Sequence, residues 1–161
     1  MSTLKHKALL AGAFILLIVI VMYSSSVRAT PAVTTQADFE TVSFDIENAI
    51  INRGFVIDFK GDIAKMLVNT SNVTTNTKDD DSAIYQQATF WQFCSSDITR
   101  RLVELAPENL RHCPFVIYAY ETKKEPGNVY LGYRHVGEPD SNLDIFQEIN
   151  SLLEAIVSEA R

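Results

Sequence analysis

The sequence predicts a single α+β domain in which helices cover one face of a mostly antiparallel sheet, preceded by one N-terminal hydrophobic helix. Three observations lead to this prediction. The chain has 161 residues, 47% of them hydrophobic and 21% charged, which is enough for one core but hardly for two. Apolar patterns of helical and strand-like period alternate along it. Two of the strand-like segments flank a short turn-rich connection, as in a hairpin.

The N-terminal part is divided by charge and hydropathy. Residues 1–7 form a short basic flank, and residues 8–23 are uncharged and mostly apolar. This length lies between a signal-peptide core and the roughly 17 to 20 residues that span a membrane, so we expect either a transmembrane anchor or a signal-peptide core. Lys5 and Lys7 favour a cytoplasmic N-terminus. The domain would then face the periplasm from a single-pass anchor in the inner, cytoplasmic membrane.

Cleavage of this segment is the alternative. Ala29 ends a Val-Arg-Ala sequence that a signal peptidase could read, and cleavage after it would release the domain into the periplasm. The small and polar residues 24–38 predict a flexible tether. The folded domain is therefore expected over residues 39–161.

The first half of the domain predicts two helices and two strands. Apolar residues at helical spacing predict a helix that ends at the Arg53–Gly54 turn, and "FVIDF" (55–59) predicts a strand. Asp62 can cap a brief second helix. The polar stretch 69–82 then predicts a loop, and "AIYQQATFWQF" (83–93) predicts the next strand.

The second half predicts a capped helix, a hairpin and a final helix. Ser95 or Ser96 caps the helix, and Pro107 ends it. The segments "PFVIYAYE" and "NVYLGYRH" flank "TKKEPG" and predict an antiparallel hairpin. Segment 141–160 carries a continuous apolar stripe at helical spacing and predicts the last helix.

Pairing Tyr120 with Tyr130 across the turn divides the hairpin into two faces. The face predicted to lie under the helices carries Phe115, Ile117, Ala119, Leu131 and Tyr133. The other face carries Val116, Tyr118, Tyr120, Tyr130, Gly132 and Arg134. Tyrosine and arginine are common in interface hot spots, and a glycine would let a partner approach the backbone. Tyr118, Tyr120, Tyr130 and Arg134 are therefore binding candidates. The alternative is a solvent-facing side, where strand propensity alone favours tyrosine.

The two cysteines, Cys94 and Cys113, flank the capped helix. In an exported domain they would form a disulfide if their Cα atoms lie within about 7 Å. Two separate unreactive thiols, or a redox or metal-binding thiol, remain open as alternatives. The start of the helix would stabilise a Cys94 thiolate, whereas Asp97 in its first turn opposes this. With His135, the two cysteines would suit copper or zinc or offer a haem ligand, although no metal-ligand spacing supports such a site.

Charge and motif content limit the functions that the chain can have. Beyond Arg28 the sequence has 11 Lys and Arg against 20 Asp and Glu, a net charge of −9. Nucleic acid is an unfavourable partner for such a chain, because binding it depends on neutralising phosphates. No Gly-rich phosphate loop, nucleophile elbow or paired-carboxylate arrangement stands out, so the sequence gives little support for an enzyme, and no cofactor is expected.

An ordered series of motifs resembles a known family. The "NRGF" turn, the "WQFC" strand end before a Ser/Asp-capped helix, the "LAPENLRHCPFVIYAYE" passage and "VYLGYR" together resemble the DUF302 family, over residues 41–160. The resemblance implies a TATA-binding-protein-like α+β arrangement and no particular activity. Many members have Cys-Asn-Pro after the strand and Pro-Cys before the later strand. Here Ser95 and Ser96 follow Cys94, and Cys113 precedes Pro114.

The function expected from these features is that of an uncharacterised, membrane-tethered and envelope-facing domain, acting as a non-catalytic binding or accessory module. Its partners would be the membrane, through residues 8–23, and an unknown protein or small molecule. The alternative is an envelope accessory protein for thiol redox chemistry or for metal or haem handling, which would use Cys94 and Cys113.

Overall fold

Five strands and four α-helices make up the parts of the chain described by the computed structural model, which are residues 33–74, 84–137 and 144–161. In chain order the elements are β1 (Val33–Thr35), α1 (Phe39–Ile51), β2 (Val56–Asp62), α2 (Ile63–Thr74), β3 (Tyr85–Cys94), α3 (Ser96–Leu105), a 3₁₀ helix (Pro107–His112), β4 (Phe115–Thr122), β5 (Val129–Tyr133) and α4 (Asp144–Glu159). The expected membrane segment 8–23 lies outside the described residues. None of the described helices is both long and apolar enough to cross a membrane.

The strands form one antiparallel sheet in the order β1-β5-β4-β3-β2. The predicted hairpin is confirmed, with Tyr120 opposite Tyr130. A bulge at Asp58 interrupts the pairing of β2 with β3, so one extra residue lies between Ile57 and Phe59. The sheet therefore has β4 at its centre and the short strand β1 at one edge.

Side-chain caps begin three of the helices where the sequence places Asp or Ser. The Asp38 carboxylate accepts the backbone N–H of Thr41 at 2.9 Å, and the Ser95 hydroxyl accepts that of Ile98 at 3.3 Å. Asp62 accepts the N–H of Lys65 at 2.8 Å and begins α2 in the same way. Each cap satisfies one of the backbone donors that the first turn of a helix leaves unpaired.

The core lies between one face of the sheet and helices α1, α3 and α4. The sheet contributes Trp91, Phe93, Phe115, Ile117 and Leu131, all fully buried, and the helices contribute Ile46, Ile50, Leu102, Ile149, Leu153 and Ile156. Each such aliphatic or Phe side chain stabilises the fold by about 1.5 to 3 kcal/mol. The predicted apolar face of the hairpin is confirmed, because its members are buried or packed against this core.

Two boundaries differ from those that the sequence predicts. Residues 33–35, within the expected tether 24–38, form β1 and pair with β5, so the domain begins before residue 39. Three residues are too few to show an alternating pattern, although all three are β-branched. Helix α2 continues to residue 74, through the first part of the predicted loop 69–82. That stretch is polar, but it has no Gly or Pro to end a helix.

Candidate functional site

The side of the sheet opposite the core carries a cluster of aromatic side chains, here called the aromatic face: Phe59, Tyr85, Phe90, Tyr118, Tyr120 and Tyr130. Tyr120 lies at its centre. Its ring stacks on Tyr130 with centroids 5.0 Å apart, lies 6.4 Å from Tyr118, and contacts the edge of Tyr85 at 5.6 Å. Phe59 and Phe90 form a second pair at 5.7 Å. Register brings the two groups together, because Phe90 is paired with Tyr118.

Two glycines allow the rings of Tyr118 and Phe90 to lie along the surface of the sheet instead of pointing away from it. A Cβ atom on Gly132 would come within 2.5 Å of Tyr118 Cζ, and one on Gly61 within 2.5 Å of Phe90 Cζ. Each ring therefore covers the glycine of the neighbouring strand, as aromatic residues do elsewhere in sheets. The expectation that Gly132 gives a partner access to the backbone is wrong, because Tyr118 fills that space.

The hydroxyls of Tyr120 and Tyr130 have pKa values that are raised by their surroundings. Tyr130 donates to the Glu125 carboxylate, and this bond, together with burial and the negative charge, raises the pKa of the phenol. Burial, with smaller contributions from Tyr118, Tyr85 and Glu125, also raises the pKa of Tyr120. Ionisation is thus pushed above the ordinary value of 10.0. At Tyr120 and Tyr130 the aromatic face therefore combines apolar rings with hydroxyl groups that stay protonated at neutral pH.

Arg134, the fourth predicted binding residue, lies at the end of this side of the sheet where β4 begins. Its guanidinium donates to the Pro114 carbonyl, and the side chain is exposed. Tyr118, Tyr120 and Tyr130 are brought together by the hairpin register, whereas Arg134 is placed beside the cysteine pair. The aromatic residues that β2 and β3 contribute were not predicted from the sequence, because Phe59 and Phe90 join the face only through long-range strand pairing.

Cys94 and Cys113 are joined by a disulfide with a Cα–Cα distance of 6.0 Å. Cys94 ends β3 and Cys113 precedes β4, next to the point where Phe93 pairs with Phe115. Both residues are half-buried. The peptide bond between Cys113 and Pro114 is cis. Of the three alternatives left open by the sequence, the structure contains the disulfide.

The metal candidates Cys94, Cys113 and His135 do not form a ligand set. Zinc and copper bind cysteine as thiolate, whereas these sulfurs are bonded to each other. His135 is exposed just beyond β5. Across residues 33–74, 84–137 and 144–161, no group of three His, Cys, Asp or Glu side chains could hold a metal ion.

A charged cluster on the core side was not predicted from the sequence. Glu47 of α1 accepts hydrogen bonds from Lys60 Nζ at 2.7 Å and from Trp91 Nε1 at 3.0 Å, and the Lys60 ammonium lies 5.6 Å from the Trp91 ring centroid. Burial would raise the pKa of the Glu47 carboxyl, but the bonds from Lys60 and Trp91 and the Lys60 charge outweigh it, so the pKa lies below its ordinary value. The cluster depends on the pairing of Lys60 with Trp91, which no local pattern reveals.

An open cleft of about 730 Å³ lies between the start of α1, α2 and the start of β3. Its size is that of a small-molecule site. Its walls combine Lys60, Lys65 and Lys123 with Glu40 and Asp62, so charges of both signs line the cleft. Asp62 and Lys60 are also already engaged, in the α2 cap and with Glu47.

Comparison with solved structures shows a similarity to a protein of known structure. It is described as the crystal structure of uncharacterized conserved protein DUF302 from Bacillus stearothermophilus. The two share a TM-score of 0.62 at 14% sequence identity, and the match covers 83% of this chain and 100% of that chain. No family model matches the sequence, and no curated protein is similar to it. At this identity the likeness shows the fold alone: the protein is an α+β domain with a DUF302-like fold.

Proposed function

We propose that this protein is a non-catalytic binding module that uses its aromatic face to hold a partner. Residues 8–23 would tether it to the cytoplasmic membrane, with the domain on the outer side. The observation that carries the proposal is the cluster of six aromatic side chains on the side of the sheet that α1, α3 and α4 leave free.

The physical argument is that this cluster exceeds what the fold requires. The core on the other side is complete, with Trp91, Ile117 and Leu131 each fully buried. Aromatic residues bring large contact areas at low conformational cost, and tyrosine adds a hydroxyl that can pair with a partner. Such residues dominate the binding energy of protein interfaces.

The test uses the full chain in its host membrane, with a photo-crosslinking phenylalanine analogue in place of Tyr120. We expect ultraviolet light to give covalent adducts from this position. Tyr118→Ser together with Tyr130→Ser should remove most of the adduct, because the neighbouring rings are part of the same contact surface.

Phe44 provides the matched control position. It is an aromatic residue of α1, 63% exposed, and lies away from the aromatic face. The same analogue at Phe44 should give little adduct. Equal yields at the two positions, or none at Tyr120, would contradict the proposal.

A second candidate function is thiol redox chemistry in the cell envelope, favoured by the position of the disulfide. Cys94 directly precedes Ser95, the cap of α3, so its sulfur lies at the start of a helix, where a thiolate is stabilised. Partial reduction followed by alkylation should then label Cys94 before Cys113 and at a pH below 8. Equal labelling only at higher pH would leave the disulfide a purely structural bond.

A further inference from the structure

The shape of the aromatic face selects the kind of partner. Small-molecule sites are concave, whereas Tyr118 and Phe90 lie along the sheet over Gly132 and Gly61 and leave a flat surface. Sheets pack face to face on other sheets, with about 10 Å between their backbones and an angle that is set by the twist of each sheet. The partner that fits is therefore a macromolecule with a flat apolar face.

The distribution of charge limits that partner further. The chain beyond Arg28 has a net charge of −9, so two such domains repel each other when they approach through most of their surface. The aromatic face is the exception. On β1, β3, β4 and β5, every strand residue whose side chain lies on that side is uncharged. Examples are Thr34 on β1, Gln92 on β3 and Tyr120 on β4. The Glu125 carboxylate, which accepts the Tyr130 hydroxyl, lies at one end of the face, in the β4–β5 connection. Contact centred on Tyr118 and Tyr120 therefore brings the uncharged strand positions of two copies together.

The dimensions of the sheet come near the area that a stable dimer buries. The five strands contain 33 residues in total, and each residue covers about 16 Å² of the sheet, given about 4.8 Å between strands and about 3.4 Å along them. The projected area of about 530 Å², increased by the relief of the rings, comes near the roughly 600 Å² that each partner buries in the smaller stable interfaces.

We propose that the partner held by the aromatic face is a second copy of this chain, packed sheet against sheet about a two-fold axis. This inference rests on the proposed function, in that it takes the aromatic face as the binding surface. A two-fold axis brings the same patch of both copies together, so that the Tyr118 and Tyr120 rings of one protomer lie against those of its partner.

The test measures the mass of the full chain in detergent micelles by light scattering, corrected for bound detergent. We expect a dimer at micromolar concentration that dissociates on dilution. Tyr120→Arg should raise the dissociation constant at least 100-fold, because it places two like charges in the centre of the interface. Phe44→Arg, the matched change on the exposed side of α1, should leave the constant unchanged.

Crosslinking distinguishes this dimer from one held by the membrane segment, or from another partner. The photo-crosslinker at Tyr120 should give a product of twice the chain mass, and at Phe44 none. A wild-type chain that is monomeric at every concentration would overturn the dimer. The dimer would also be overturned if Tyr120 were crosslinked only to a molecule other than this chain, and the proposed binding function would then be supported. The absence of any adduct at Tyr120 would contradict both the dimer and the proposed function. Fluorescence of Trp91, the only tryptophan, verifies that each variant is folded.

Discussion

Both faces of the sheet carry large aromatic side chains, and the faces differ in what covers these side chains. On the core face, Trp91, Phe93 and Phe115 are fully buried beneath the helices. On the aromatic face, Tyr118, Tyr120 and Tyr130 are half-buried, and Tyr120 stacks on the other two rings. The difference shows that the helices complete the fold on one side only. The second layer of rings is available for a contact that the domain itself does not make.

The largest expected effect is a difference in the stability lost when an aromatic residue is removed from each of the two faces. Phe115→Ala, on the core face, should lower the free energy of unfolding by about 3 to 5 kcal/mol, because it leaves a cavity against Phe93. Tyr120→Ala, on the aromatic face, should lower it by about 1 kcal/mol, because its ring is half-exposed. Urea unfolding monitored through Trp91 fluorescence measures both. Losses of equal size would show that the aromatic face is part of the core.

Removal of the Cys94–Cys113 disulfide should have the next largest effect on the free energy of unfolding. It closes a loop with a sequence separation of 19 residues, which corresponds to about 3 kcal/mol of loop entropy in the unfolded chain. Replacing both cysteines with serine should lower the free energy of unfolding by about this amount. Added reductant should lower the wild-type value similarly and leave the serine variant unchanged. A reductant-insensitive wild-type protein would contradict a disulfide that contributes to stability.

Gly132→Ala tests the flat packing of the aromatic face. The new methyl group would overlap the Tyr118 ring, so the ring must tilt away from the sheet, at a cost of about 1 to 3 kcal/mol. Adding Tyr118→Ala should recover much of that loss, since the small side chain leaves room. The double-mutant cycle, again from urea unfolding, measures this coupling. Simple additivity of the two changes would mean that the ring does not cover Gly132.

The smallest expected effect is the pH dependence contributed by Glu47 on the core side. Its pKa in the folded chain lies below the ordinary value of 4.5, so the unfolded state binds the proton more readily. The stabilisation is therefore fully present above pH 4.5 and is lost as the pH falls through the folded-state pKa. Between pH 6 and pH 3, Glu47→Gln should show a shallower loss of stability than wild type. If the free energy of unfolding fell equally with pH in the two proteins, Glu47 would make no contribution to the loss of stability in acid.

Local patterns were sufficient to predict most of the fold. The alternation of periods predicts the helices and strands, and the turn "TKKEPG" predicts the hairpin and its register. Strand β1 and the end of α2 were missed for lack of a signal, the first being too short and the second too polar. The hairpin half of the aromatic face could be predicted, because one turn fixes which residues share a side.

The remainder of the site depends on contacts between distant parts of the chain. Phe59 reaches the aromatic face through the β2–β3 pairing, whose bulge at Asp58 shifts the register by one residue. The role of Gly132 also depends on a neighbouring strand, since only the position of the Tyr118 ring shows that the glycine is covered. The cysteine spacing alone left three alternatives, because it does not determine the Cα–Cα distance that the β3–β4 pairing sets.

The central claim, that the aromatic face is covered by a partner in the cell, is tested most directly by hydroxyl-radical footprinting of the full chain. The modification of Tyr118, Tyr120 and Tyr130 is measured relative to that of Phe44, first in the host membrane and then in purified, diluted protein. The account predicts that the relative modification of the tyrosines rises several-fold on purification and dilution, as the face loses its partner. The same ratio in both states would contradict it.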